Sequence, residues 1–412
     1  MMEERFSAQF AADGAWCFFA DPRAVYYEGK YRRTYVGWLT AQGDVMAGVY
    51  DHRTGAAESV VVKPGLQKDD HANPSLYIDD RGRITIFYSA HNGSAMYYRT
   101  TETSEELSSL GAEHLLPANT EGKKGYTYPT PIYLRQERLF YLFWRGGNFK
   151  PNFSVSSSLY EHDWSEAQTL IMDEGQRPYI RYASNGEDTI HFASTDGHPN
   201  VEPHNSIYYA RYRDGAYYKA DGTKVKPASG LPLKLSELDV VYDGKAEGRN
   251  AWIWDVSFDR EGHPVIVYAV FVSETDHRYY YSIWNGGRWE TNEIASAGAW
   301  FPQTPEGKKE TETYYSGGIV LDSRSPDTVY LSRPVNGVFE IERRHTADRG
   351  RTWTSAPVTS GSSSNQVRPF LARNYSDDEA LLLWMSGDYI HFTDYRTSLQ
   401  MTLVKPGESL HR

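Results

Sequence analysis

One hydrophobic pattern recurs along the chain: a short apolar strand, a polar turn, a second aromatic-rich strand and a tyrosine-rich third strand. In the second copy the apolar run SLYI is followed by the turn DDRG and the returning run ITIFY. Short runs bounded by turn residues predict strands, and no segment has the 3.6-residue period of a long helix. The seven copies begin at Asp21, Asn73, Tyr128, Arg177, Trp254, Ser316 and Arg368.

The spacing of these copies predicts how the strands assemble. Seven copies in 412 residues give about 59 residues each, which is enough for four strands and their loops. Four-stranded units repeated around an axis form a β-propeller. We therefore predict an all-β fold, a seven-bladed β-propeller of four-stranded antiparallel blades, as a single domain over residues 1–412. The blades are expected at about 16–405, and segment 219–249 is expected to be a surface insertion.

The sixth copy ends in a recognisable turn motif. TADRGRTW at 346–353 matches the S/T-x-D-x-G-x-x-W pattern of the Asp-box turn of BNR repeats. Asp348 and Gly350 are expected to shape a hairpin turn, and Trp353 is expected to pack between sheets. We interpret this motif as structural and predict that it lies on the face opposite His71.

The second copy carries two histidines at matching ends. His71 precedes its first strand and His91 follows its second, and a hairpin brings those two ends together. Either histidine alone would more simply cap a strand. Two imidazoles at one place, beside Asp69, Asp70 and Asn73, favour proton-transfer chemistry, because histidine changes charge near neutral pH.

The same face of the next two blades is predicted to collect more polar and aromatic side chains. Loops on one face of a propeller surround its central channel, where function usually lies. The candidates are Tyr126, Tyr128, Trp144 and Arg145 from the third copy and Arg177, Tyr179, Tyr182, Asp196 and His198 from the fourth.

Two histidines, a tyrosine and an arginine suit β-elimination from a uronate. A base removes the proton beside the carboxylate, an acid protonates the leaving oxygen, and an arginine neutralises the carboxylate. Hydrolysis normally uses two carboxylates and stays open, because Asp69, Asp70 and Asp196 could supply a pair.

Composition narrows the expected partner. The net charge of −11 argues against nucleic acid or an anionic membrane, but one local arginine could still bind an anionic sugar. Aromatic residues make up 14% of the chain, and their flat rings suit carbohydrate recognition. We predict an anionic oligosaccharide or polysaccharide as the ligand and no protein partner. The single Cys17 excludes an intrachain disulfide, and a cytoplasmic location is expected, or a secreted one if a leader precedes these residues.

The chain resembles the BNR-4 repeat family in the phrases DDHANPSLYIDDRGRITIFYSAH, YTYPTPIYL, FWRGGN and RPYIRY, most strongly over 16–209. That family includes seven-bladed polysaccharide lyases that act on ulvan and on rhamnosyl-glucuronate linkages. The resemblance implies a lyase with His71 and His91 as catalytic histidines, Tyr128 as catalytic tyrosine and Arg145 as the carboxylate-neutralising arginine.

Two alternatives to a lyase remain at this point. Similar propellers include a rhamnosidase, so an exo-acting glycoside hydrolase is one alternative, and a non-catalytic glycan-binding propeller is the other. The substrate-binding residues are expected to include Asp70, Asn73, Trp144, Arg177, Tyr179, Tyr182 and His198.

No cofactor is required for the proposed chemistry. Related lyases contain a zinc or calcium ion, so the resemblance implies that a structural metal ion could be present. His198 and His204 are the candidate ligands, although their spacing is not a zinc signature.

Overall fold

Seven antiparallel sheets are arranged around a central channel, which confirms the seven-bladed β-propeller. The structure is a computed structural model that describes residues 7–116, 125–173, 177–301, 307–309 and 313–406. Six sheets have four strands, and the fourth sheet has six. No helix in these ranges is long and apolar enough to cross a membrane.

The first four blades follow the N-terminal strand β1 (Ala8–Ala11). Blade 1 contains β2 (Ala24–Glu28), β3 (Arg32–Leu39), β4 (Val45–Asp51) and β5 (Ala57–Lys63). Blade 2 contains β6 (Ser75–Ile78), β7 (Ile84–Tyr88), β8 (Tyr97–Thr100) and β9 (His114–Leu115). Blade 3 contains β10 (Tyr126–Leu134), β11 (Leu139–Gly146), β12 (Pro151–Ser156) and β13 (Gln168–Thr169). Blade 4 contains β14 (Ile180–Ser184), β15 (Thr189–Thr195), β16 (Ile207–Arg213), β17 (Ala216–Tyr218), β18 (Lys224–Pro227) and β19 (Asp239–Tyr242).

The remaining three blades complete the ring. Blade 5 contains β20 (Ala251–Phe258), β21 (Pro264–Ser273), β22 (Asp276–Trp284) and β23 (Trp289–Gly298). Blade 6 contains β24 (Ile319–Leu321), β25 (Thr328–Val335), β26 (Val338–His345) and β27 (Thr354–Pro357). Blade 7 contains β28 (Gln366–Leu371), β29 (Ala380–His391) and β30 (Asp394–Val404). Short helical turns lie at Asp70–Ala72, Leu107–Ser109, Ala228–Gly230, Leu235–Glu237 and Gly244–Glu247.

The two ends of the chain meet in blade 7. Strand β1 pairs with β30, so the N-terminal strand supplies the fourth strand of the last blade. This pairing closes the ring by backbone hydrogen bonds and removes the open edge that a linear stack of sheets would leave.

The inner strands are apolar on both faces because each blade packs between two others. In blade 5, Val265, Ile266, Val267 and Tyr268 of β21 are all fully buried. Such a continuous apolar run is typical of a strand covered on both sides. The predicted strand phrases are therefore the hydrophobic core of the ring.

The segment predicted as a surface insertion, 219–249, is instead part of blade 4. Its strand β19 pairs with β16 and supplies a fourth strand at that edge of the blade. Leu233, Leu235 and Leu238 are buried, and Leu233 forms a β-bridge with Ile171 of blade 3. The polar composition of the segment did not indicate these leucines as core residues.

A plug segment, Ala15–Asp21, fills the centre of the ring. The Trp16 indole N–H donates to the Arg368 carbonyl oxygen, and the Arg368 guanidinium donates to the Trp16 carbonyl oxygen at 2.6 Å. The Phe18 ring centroid lies 4.4 Å from that of Trp254 in blade 5. All seven residues of the plug are buried, so the channel is blocked between its two mouths.

Buried ion pairs hold the Asp21 end of the plug. Asp21 pairs with Arg181 of blade 4 and with Arg23, and Asp255 of blade 5 pairs with Arg181 at 3.2 Å and with Arg373 at 3.2 Å. Because each buried charge has an opposite partner, removal of one partner is expected to be strongly destabilising. This network ties four blades to one point on the axis.

The Asp-box turn lies where the sequence predicts it. It joins β26 to β27 at the end of the blade opposite the start of β24, so it is on the face opposite His71. The Thr352 N–H donates to the Asp348 carboxylate at 2.8 Å, and the Trp353 ring packs edge-on against Tyr281 of blade 5. The motif therefore joins two blades and is remote from the candidate chemistry.

Candidate active site

The two predicted histidines lie side by side at one end of the central channel, on the face where the first strand of each blade begins. We call this end the near mouth and the opposite end the far mouth. Their rings are stacked, with centroids 4.2 Å apart and planes 4° apart. The Nδ1–H of His71 donates to Asp69 Oδ1 at 2.7 Å, and the Nδ1–H of His91 donates to Asp69 Oδ2 at 2.8 Å. One carboxylate therefore orients both rings, and the two Nε2 atoms point away from it on the same side.

Local structure explains this arrangement. Asp69 is the N-cap of the turn Asp70–Ala72 and accepts a hydrogen bond from the His71 N–H. The His91 N–H donates to the side chain of Gln67 at 2.7 Å, which fixes the end of the hairpin. The hairpin delivers His91, and the N-cap delivers His71 to the same carboxylate.

The two imidazoles have opposite pKa shifts. Burial lowers the pKa of His71, but the Cys17 sulfur and the carboxylates of Asp69 and Asp70 outweigh it and hold that pKa well above 6.5. Burial also lowers the pKa of His91, and the positive charges of His71 and Arg145 add to that effect, so the hydrogen bond to Asp69 offsets it only in part. The pair therefore consists of an imidazolium, His71, and a neutral imidazole, His91.

Tyr128 lies against the same pair. Its ring centroid is 5.6 Å from that of His71, and it sits at a bulge in β10 with a positive φ of 63°. Such a backbone conformation is rare for a tyrosine and often marks a functional site. Burial raises the pKa of the Tyr128 phenol well above 10, so the phenol is protonated and can donate a proton.

Arg145 completes the predicted group of four. Its Cζ lies 4.9 Å from the ring centroid of Tyr128, and its guanidinium donates to Tyr179 Oη at 2.8 Å and to Asn92 Oδ1 at 3.1 Å. Among the residues that the structure describes, no carboxylate forms an ion pair with Arg145. A nearly buried guanidinium with only neutral partners has charge available for an anionic ligand.

Three more of the predicted residues lie at the rim of this cleft. Tyr179 accepts the hydrogen bond from Arg145, and the exposed Arg177 lies over Phe149, with its Cζ 4.3 Å from the ring centroid. His198 accepts from the Asn200 N–H and donates to Tyr315 Oη at 3.2 Å, and burial lowers its pKa to about 4. His198 is therefore a neutral positioning group.

Four predicted substrate-binding residues are placed differently by the structure. Asp70 is fully buried beneath His71, where its carboxylate accepts from Arg368 at 2.6 Å. Asn73 is also fully buried and accepts from the Cys17 N–H, and Trp144 packs against Tyr126 between blades 2 and 3. These three side chains are buried and support the cleft from below.

Tyr182 is the fourth of these residues. Its ring stacks on Phe143 with centroids 4.4 Å apart, and it lines the channel on the far side of the plug. The sequence placed Tyr182 in the correct strand, β14, but did not predict how far along this strand, and so how far from the cleft, its side chain lies. Tyr182 therefore lies deeper than the cleft, where it also lines a small internal cavity with Tyr128, Arg145 and Tyr179.

The carboxylates considered for hydrolysis are already engaged. Asp69 binds both histidines, and Asp70 binds Arg368 and Tyr389. Asp196 accepts from the Ser206 N–H and from Tyr208 Oη. None of these three aspartates is positioned with another as a free carboxylate pair.

The predicted metal ligands do not form a cluster. Both ring nitrogens of His198 are hydrogen-bonded, and His204 is exposed. Within the described ranges, the groups with three metal-ligating atoms near one another contain neither histidine. The metal ion implied by the resemblance stays a prediction without a fitting site at these two residues.

Sequence reasoning missed three contributors to the cleft. The sequence indicated Asp69 as a neighbouring acid and as one of a possible carboxylate pair for hydrolysis, whereas the structure shows that it holds both histidines. Asn92 directly follows His91, and its oxygen binds Arg145. Phe19 of the plug forms part of the floor, with its ring centroid 5.0 Å from that of Tyr128. The position of Asn92 next to His91 was the only available signal, because the plug has no recurring pattern.

Comparison with solved structures shows propellers of the same architecture. A PL25 ulvan lyase has a TM-score of 0.73 at 14% identity, with 97% of this chain and 96% of that chain covered. Polysaccharide lyase Uly1 has a TM-score of 0.59 at 13% identity, covering 96% and 92%. The BP39L lectin from Burkholderia pseudomallei has a TM-score of 0.56 at 10% identity, covering 95% and 98%. At these identities the similarity establishes the fold alone.

Sequence comparison gives the family. No curated protein matches the chain. The family described as BNR repeat-containing family member matches residues 33–297, which is more than half of the chain and includes all four residues of the near mouth. With its ring of seven blades and its Asp-box turn, the chain belongs to the BNR repeat-containing family.

Proposed function

We propose that the protein is a polysaccharide lyase that cleaves a uronate linkage by β-elimination. The observation that carries this proposal is the near-mouth group itself. A neutral imidazole, a protonated phenol and an arginine without an acidic partner lie around one cleft. Elimination from a uronate needs a base, an acid and a cation for the carboxylate.

The roles follow from the charge states. Arg145 binds the uronate carboxylate and withdraws charge from it, which makes the neighbouring C5 proton removable. His91, neutral and oriented by Asp69, takes this proton on Nε2. The electron pair forms the C4–C5 double bond while the C4–O bond breaks, and Tyr128 donates its proton to the leaving oxygen. His91 then releases its proton to solvent, and Tyr128 takes one up.

His71 contributes charge in this scheme and does not transfer a proton. Its imidazolium lies beside both His91 and Tyr128 and adds positive charge where negative charge develops on the substrate. Asp70 keeps His71 charged, and the Arg368 guanidinium fixes Asp70 in turn. Burial excludes water from this chain of contacts and strengthens each of them.

The substrate class that we propose is a rhamnosyl-glucuronate polymer. A PL25 ulvan lyase of the same fold has been solved bound to -[GlcA(1-4)Rha3S]-. The exposed Arg177 at the rim of the present cleft would suit a second anionic group along such a chain.

The glycoside hydrolase alternative has less support. Retaining and inverting hydrolases use two carboxylates that flank the bond, whereas the three candidate aspartates are engaged by other groups. A lectin remains a candidate because aromatic residues line the cleft, but glycan binding alone does not require two stacked histidines on one carboxylate.

Ultraviolet absorbance of the products tests the proposal directly. Incubation with uronate-containing polymers should generate an unsaturated uronate, which absorbs where a hydrolysis product does not. His91→Ala should abolish the signal, and His263→Ala, which changes a histidine in a distant turn of blade 5, should not. Cleavage without the absorbance would identify a hydrolase, and binding without cleavage would identify a lectin.

A further inference from the structure

The channel has a second mouth on the face opposite the histidines, and this mouth opens into a cavity. We call it the far pit; its volume is about 540 Å³. The plug segment Ala15–Asp21 separates it from the cleft, since Asp21 at the end of the plug lines its wall. A cavity of this size is within the range of small-ligand sites.

Four polar side chains around the far pit have no hydrogen-bond partner in the described part of the chain. Each can donate, and they come from four different blades, so a ligand at the centre could contact all of them. They are Tyr182 of blade 4, Arg260 of blade 5, Ser323 of blade 6 and Asn374 of blade 7.

One unpaired positive charge in the lining favours an anion. The charged residues that line the far pit are Arg260, Arg324, Arg373, Asp21 and Asp259. Two of these arginines already have acidic partners, since Arg324 pairs with Asp377 and Arg373 pairs with Asp255. Both acids are already engaged: Asp21 pairs with buried arginines, and Asp259 caps its own turn by accepting from backbone N–H groups. Arg260 has no ion pair among the described residues, so its charge is available to a ligand.

The polar lining also suits a sugar. Hydroxyl and amide groups at Tyr182, Ser323 and Asn374 can bond to sugar hydroxyls, and the Tyr182 and Phe258 side chains provide aromatic surface beside them. Because these groups surround the cavity and do not follow a groove, one or two sugar rings are a better fit than an extended chain.

We propose that the far pit is a second, non-catalytic binding site for an acidic saccharide unit, with Arg260 binding its carboxylate. The site does not depend on the lyase chemistry of the near mouth, because the plug and the buried ion pairs separate the two. Such a site would hold a polymer end or a released product away from the cleft.

Titration calorimetry with glucuronate tests this proposal, with glucose as the neutral probe. Arg145→Ala is used to remove carboxylate binding at the centre of the near mouth, so that the part of the remaining glucuronate binding that depends on Arg260 reports the far pit. Arg260→Glu in that background should weaken glucuronate binding at least about tenfold. Arg288→Glu is the matched control, because it makes the same charge change at an exposed position of blade 5 outside the far pit.

Each outcome decides the question. Binding of glucuronate but not glucose to Arg145→Ala, lost with Arg260→Glu and kept with Arg288→Glu, supports the far pit. Absence of binding to Arg145→Ala, or equal weakening by Arg260→Glu and Arg288→Glu, overturns it. If inorganic sulfate binds in the same Arg260-dependent way and glucuronate does not, the cavity is a simple anion site and the saccharide proposal is wrong. Unchanged cleavage by Arg260→Glu would show separately that the near mouth is intact.

Discussion

The two mouths of the central channel use similar residue types in different ways. At the near mouth the histidines and Arg145 are fixed: Asp69 holds both histidines, and Tyr179 and Asn92 hold Arg145. At the far pit Arg260, Ser323 and Asn374 are without such partners among the described residues. Preorganised groups lower a reaction barrier, because they do not have to reorient as charge develops. Free groups can adapt to a ligand but cannot provide that advantage.

The largest expected effect is at the proton-transfer groups of the near mouth. His91→Ala or Tyr128→Phe should lower kcat roughly 10²–10⁴-fold, because each removes a group that transfers a proton in the transition state. Kinetics on a uronate polymer measure this loss, with circular dichroism as the check that the fold is intact. The combined variant should lose little more than the worse single variant, because the two groups act in one step.

The same kinetic measurements test whether the two mouths have different functions. Arg260→Glu should leave kcat on a short substrate unchanged while His91→Ala removes it. A large loss of kcat in Arg260→Glu would show that the far pit takes part in the chemistry. Near wild-type turnover in both His91→Ala and Tyr128→Phe would contradict the assignment of the near mouth.

The next largest effect is expected at Arg145. Lysine keeps the charge but cannot form two parallel hydrogen bonds with a carboxylate, and it cannot keep both neutral partners. Arg145→Lys should therefore lower kcat roughly 10²-fold with a smaller change in KM. A carboxyl-reduced substrate should fail with the wild-type protein, and Arg288→Lys should behave as wild type. Equal turnover of native and carboxyl-reduced substrates would rule out elimination.

A smaller effect is expected from pH, and its sign follows from the two histidines. His91 must be neutral to act as base, and its pKa is lowered, so kcat/KM should fall only as pH drops through a value below 6.5. His71 must stay charged, and its pKa is raised, so activity should fall again as pH rises through a value well above 6.5. The pH profile of kcat/KM should be bell-shaped around neutrality.

The His71→Gln variant tests which histidine causes each limb of the pH profile. His71→Gln should remove the basic limb and keep the acid limb. Tyr128 cannot account for a basic limb below pH 10, because its pKa is raised well above that value. An acid limb with its midpoint above 6.5 would contradict His91 as the base. A basic limb that persists in His71→Gln would contradict His71 as the charged group.

The sequence predicted which residues lie at the near mouth, but it did not predict which of their side chains are buried beneath the cleft. Hairpin geometry was enough to bring His71 and His91 together, because strand pairing determines which ends meet. The repeated phrase also indicated the correct face for Asp70, Asn73 and Trp144. It could not show that these side chains are buried, because depth depends on what the other blades place above them.

Long-range contacts explain the other omissions. The plug is held by Arg368, which is 352 residues from Trp16 in the sequence, and no local pattern predicts such a pair. Leu233 and Leu235 in the polar segment 219–249 are covered only when blades 3 and 4 come together. Local sequence patterns therefore predicted the blades and the histidine hairpin. The contacts of the plug at the centre of the ring could be identified only from the structure.

The smallest effect on turnover is expected at the Asp-box turn, which is on the face of the far pit but outside it. Trp353 is half-buried, packs edge-on against Tyr281 and donates its indole N–H to the Gly350 carbonyl oxygen at 2.9 Å. Trp353→Ala should therefore cost about 2 kcal/mol of unfolding free energy, less than a fully buried tryptophan would. Because the turn joins blades 5 and 6 and the Trp353 side chain lines neither the cleft nor the far pit, kcat and glucuronate binding should stay within about twofold of wild type. Thermal unfolding and kinetics on the same sample measure both quantities. Lost activity in a folded Trp353→Ala protein would show that the blades couple the two faces of the ring.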